Sequence, residues 1–135
     1  MDVVQRRWDA RLDNWALWQV SGAAGPPSSP FPAYRLFASS RHWSERANAR
    51  PQPLVGDALD TDRLVVELAR ESPERYSAVR AWYVWTGSLA DRAAALRIHP
   101  DTLHDRVVAA RYRLDDLALL RRGNAIRARM CVIAA

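Results

Sequence analysis

The chain contains no lysine, so all 20 of its basic residues are arginine, and against 15 acids they leave a formal net charge of +5. That balance favours a polyanionic partner. A lone cysteine, Cys131, excludes an intrachain disulfide. Together with three scattered histidines it also falls short of the four Cys or His ligands that a structural zinc site usually takes, so neither metal nor cofactor is expected. No apolar run approaches the roughly 18 residues that would span a bilayer. The opening segment MDVVQRRWDARLDNW carries acids and arginines where a signal peptide needs an apolar stretch, so the expected setting is the cytoplasm, away from membranes. His42, His99 and His104 have no serine, cysteine or carboxylate pair at a spacing that completes a catalytic site, and no enzyme is expected.

What is present is ordinary globular material: 135 residues, of which 49% are hydrophobic and 26% charged, enough for one domain or a small domain with an extension. The patterning is mainly α. Residues 1–20 set Val4, Trp8, Leu12, Trp15 and Trp18 at three- and four-residue steps, the signature of one amphipathic helix. Residues 21–56 hold six of the eight prolines, which block helix interiors and central strands, so this stretch reads as an irregular arm or linker. A helix is expected from about Asp60 to Arg70, with Leu64, Val65 and Leu68 on one face. Ser72-Pro73-Glu74 then opens another, by N-cap, first-position proline and dipole-facing acid, running to about Thr86 before Gly87 turns the chain.

Ser88 and Asp91, three residues apart, open a short helix to Leu96. Only Arg97, Ile98 and His99 separate it from Pro100, where a last helix begins and runs to about Arg122, with Gly123 expected to end it and 123–135 as a tail. Its apolar positions Leu103, Val107, Ala110, Leu114 and Leu117 form one stripe. A short helix, a tight turn and a second helix, with small Ala93 at the close contact, are the parts of a helix-turn-helix, here within a DNA-binding domain spanning 57–122. Off the stripe, Asp101, Thr102, His104, Asp105 and Val108 are the candidate base readers: hydroxyl and imidazole can hydrogen-bond, a carboxylate can accept from cytosine, and valine can meet a thymine methyl. Arg92, Arg97, Arg106, Arg111 and Arg113 are the candidate phosphate contacts, the alternative being ordinary surface charges.

The stretch SPERYSAVRAWYVWTGSLADRAAALRIHPDTLHDRVVAARYRLDDL resembles region 4 of bacterial sigma factors over some 46 residues. It keeps the order Pro-Glu-Arg-Tyr, aromatic helix, Gly-x-Leu, Ala-x-x-Ala-x-x-Leu-x-Ile, Thr-Leu and Ala-Arg-x-x-Leu. It departs from that pattern at Arg97, where glycine is usual in the turn, and at His99-Pro100, which replaces a hydroxyl N-cap. With Asn14-Trp15-Ala16-Leu17-Trp18 and a Gly/Pro/Ser-rich arm bearing Tyr34-Arg35 ahead of it, nearly the whole chain is similar to phage late-gene antitermination proteins of the Q type. The resemblance implies a protein of the host bacterial cytoplasm that binds double-stranded DNA near a late promoter. It would attach to RNA polymerase carrying sigma factor, so that terminators are read through. On that reading Trp15, Trp18, Arg35 and Arg41 contact polymerase or nascent RNA, while core packing is the competing reading for the tryptophans. Two other functions stay open: a regulator that acts only by occupying promoter DNA, and a sigma-like module that docks on polymerase without reading DNA.

Overall fold

The computed structural model describes residues 1–21 and 53–134, with side chains to Cys131. The described residues form five helices and no strand: α1 (Val3–Val20), α2 (Val55–Glu71), α3 (Pro73–Tyr83), α4 (Leu89–Ala95) and α5 (Pro100–Ala134). The fold is mainly α. None of these helices is long and apolar enough to cross a membrane. Most of the arm, with Arg35 and Arg41, lies outside the described residues.

The α1 stripe turns inward as its spacing demands. Trp8, Leu12, Trp15 and Trp18 are buried against Leu64, Val65 and Leu68 of α2, Val79 of α3, and Ala110, Leu114 and Leu117 of α5. Both fully buried indoles keep a partner for their N–H, as a buried tryptophan must: Trp8 donates to Asp115 at 3.1 Å and Trp15 to Asp62 at 3.1 Å. The start of α1 crosses α5, with Gln5 Nε2 donating to the Val108 carbonyl at 3.1 Å. Its end lies on α2, where Asn14 exchanges hydrogen bonds with both backbone groups of Leu54. A second cluster joins Ala78 and Ala81 of α3, Ala93 of α4, and Leu103 and Val107 of α5.

These contacts correct the sequence reading in two ways. First, α1 is not an appendage to a 57–122 domain. Trp15 and Trp18 are 1% and 7% exposed, so they belong to the shared core and are not available as polymerase contacts. Second, three boundaries move. Helix α2 starts five residues early, at Val55, α3 ends at Tyr83, and α5 runs straight through Gly123 to Ala134. A glycine costs a helix interior only about 1 kcal/mol, and the residues that follow are mostly good helix formers with no proline among them.

Candidate nucleic-acid interface

The corner between α4 and α5 is built by local chemistry. Ser88 caps α4, its hydroxyl accepting from the Asp91 N–H at 3.1 Å, after Gly87 has taken a left-handed φ of 99°. At the other end, Arg97 N–H reaches the Ala94 carbonyl and Ile98 N–H reaches the Ala93 carbonyl, both at 3.0 Å. This pair of bonds is the Schellman pattern, which needs its C′ residue left-handed. That residue is Arg97, with φ of 59°. A glycine is thus missing where the geometry favours one, and arginine carries the strain.

His99 likewise does the work of the absent hydroxyl. Its Nδ1 accepts from the Asp101 N–H at 3.1 Å, capping α5, while Pro100 fills the first helical position. With Leu103 and Val107 pinned inward, the first two turns of α5 present Asp101, His104 and Asp105 together on the outside, with side chains 91%, 56% and 83% exposed. The His104 ring lies 5.7 Å from that of Trp82. Thr102 and Val108 are half-buried; Thr102 lines an open groove of about 540 Å³ with Glu71, Glu74, Arg75 and Arg106.

The five candidate phosphate contacts separate sharply. Arg111 is 3% exposed and buried beneath α1, donating to Tyr83 Oη at 2.8 Å, Gln5 Oε1 at 2.9 Å and Asp9 Oδ1 at 3.2 Å. Assignment to a phosphate is therefore corrected to a core ion pair. Tyr83 completes the cluster by donating to Asp9 at 2.7 Å, and burial holds its phenol far above the ordinary range. Arg113 grips both oxygens of Glu71, which holds that carboxyl below its ordinary range. Arg106 lies 4.0 Å from Glu74. Arg92 donates to the Ala81 and Trp82 carbonyls at 3.1 and 2.8 Å, closing the end of α3. Only Arg97, of the five, is exposed with no side-chain partner among the described residues.

The sequence reading found no place for Arg122, Arg127 and Arg129, which stand exposed on the far end of α5. The signal was there in the spacing of Leu119, Ile126 and Met130, hidden by the expectation that Gly123 stops the helix. No family model, curated protein or solved structure matches this chain.

Proposed function

We propose that the chain is a DNA-binding transcription regulator that lays the first turns of α5 in the major groove and acts on bacterial RNA polymerase carrying sigma factor as an antiterminator of the Q type. The observation that supports it most is the α4–α5 corner, in which a Schellman turn at Arg97 and a histidine cap at His99 hold an exposed, rigid helix start. Base reading falls to His104, Asp105 and Asp101, with Thr102 and Val108 at the margins. Phosphate affinity falls first to Arg97. Arg92, Arg111 and Arg113 are engaged within the fold and add little to the salt dependence of binding, in which each phosphate contact contributes a slope of about −0.9 in log K against log salt.

The test is a duplex selected from a random pool by the full chain, then measured by fluorescence anisotropy. His104→Ala and Asp105→Ala change the preferred base, whereas Arg97→Ala weakens all duplexes alike and removes about one unit of slope. Failure to prefer any duplex over bulk competitor overturns DNA readout. A transcription template carrying a promoter, the selected site and a terminator then tests the second half: readthrough that depends on the site is the expected result.

A second reading has its own observation, because Asp101 and Asp105 point outward and oppose phosphate. An acidic helix face of this kind suits docking on a basic protein surface, as a sigma-like module would. Readthrough independent of the site favours that reading, and loss of initiation favours a repressor.

A further inference from the structure

Leu117 is the last core residue of α5, and the helix continues for some 17 residues, about 25 Å, past the bundle. A helix of that length gains little stability on its own in water. Yet Leu119, Leu120, Ile126 and Met130 are 55–64% exposed on it. Positions 119, 123, 126 and 130 follow steps of four, three and four, the spacing of a two-helix seam. At their centre a Cβ added to Gly123 would meet nothing within 4 Å.

We propose that a second copy of this chain covers this seam, the two α5 helices running antiparallel and crossing at Gly123. An interface related by a two-fold axis must be complementary to itself. The open groove here, about 520 Å³, has that property: Asp116 lies at one end beside Arg113, whose charge Glu71 already answers, Arg127 lies at the other, and Leu119, Leu120 and Gly123 lie between. Antiparallel pairing sets Leu120 against Ile126 of the second copy and brings Asp116 to the end that carries Arg127. Parallel pairing would instead stack Arg122, Arg127 and Arg129 beside their own copies, and like charges repel there. Glycine at the crossing lets the backbones approach closely. The inference is independent of whether the protein reads DNA.

Sedimentation equilibrium of the full chain tests it, with a mass twice the 15.3 kDa of one copy as the expected result. Ile126→Asp raises the dissociation constant about tenfold or more, while the near-UV signal of the buried tryptophans holds because the site lies outside the core, and helicity falls by no more than the part of α5 past Leu117. Asp116→Arg and Arg127→Asp each weaken pairing, and the double variant restores it. Under mild oxidation Gly123→Cys in a Cys131→Ser background crosslinks to itself, whereas the native Cys131, far from the axis, does not. A monomer at every concentration overturns the proposal, including one that binds anionic vesicles through α5. So does a dimer indifferent to Ile126→Asp, a charge-swapped double variant that does not recover, or efficient crosslinking through Cys131.

Discussion

Replacing Arg111 by methionine separates a core residue from a DNA contact. Methionine keeps most of the stem volume and removes the guanidinium, so three hydrogen bonds disappear: those to Tyr83, Gln5 and Asp9. Gln5 is 4% exposed, and leaving its oxygen without a donor costs about 1–3 kcal/mol. Breaking a fully buried ion pair costs about 3–5 kcal/mol. Asp9 is 35% exposed, however, and still accepts from Tyr83, which lowers the total to about 2–4 kcal/mol. Against a total stability of about 5–15 kcal/mol this is a large fraction, and it lowers the melting temperature by about 10 °C or more. Urea unfolding followed by tryptophan fluorescence reads it as a lower midpoint with an unchanged slope. Arg111→Lys recovers little, because one ammonium cannot reach three acceptors lying in different directions. On the proposed function, the salt dependence of DNA binding in this variant stays as in the native chain. A loss under about 1 kcal/mol accompanied by weaker DNA binding would refute the assignment to the core.

Arg97→Gly exchanges a left-handed arginine, strained by about 1–2 kcal/mol, for a residue whose chain entropy costs about 0.5–1 kcal/mol, so it stabilises by up to about 1 kcal/mol in thermal melts while weakening DNA binding. His99→Ala removes the α5 cap and costs about 1 kcal/mol, and His99→Ser restores it, both read by urea midpoints. Arg113 holds the Glu71 carboxyl below its ordinary range, so that contribution is present above the ordinary carboxylate range and fades as pH falls through the lowered value. Stability against pH is therefore flatter on the acid side in Glu71→Gln than in the native chain; identical curves would refute the coupling.

Signals written within one or two turns were legible in the sequence. Ser72-Pro73, Ser88 with Asp91, and the stripe from Leu103 to Leu117 each depend on neighbours three or four residues away, and each forms as read. What stayed hidden depends on distant partners. Arg111 and Arg106 look alike in the sequence, and only the arrival of Gln5 and Asp9, more than 100 residues away, decides that one is interior. Six tryptophans are a heavy load for a core of this size. The indole N–H groups of Trp8 and Trp15 find carboxylates on α5 and α2 at the core's edge, which lets the rings go in. Gly123 misled because a glycine ends a helix only where the chain turns, and here no turn follows. The arm's expected contacts, with Arg35 and Arg41, fall outside the described residues.

If the first turns of α5 read DNA and its far end pairs with a second copy, as proposed, the geometry of this one continuous helix constrains the DNA site. The turn around His104, the proposed base reader, lies roughly 30 Å along the helix from Gly123 at 1.5 Å per residue. Antiparallel crossing at Gly123 therefore places two such turns at opposite ends of the pair, at most about 60 Å apart. Helix-turn-helix dimers that pair close to their reading helices set half-sites one DNA turn apart, about 34–36 Å. This chain should instead prefer two half-sites separated by more than one turn and less than two. Duplexes with the selected half-site repeated at stepped spacings measure this directly, by affinity in the native chain and in Ile126→Asp. The native chain gains affinity only within that window, and Ile126→Asp binds every spacing as a single half-site. A best spacing of one turn would break the link between pairing at Gly123 and reading at His104, even if each were separately correct.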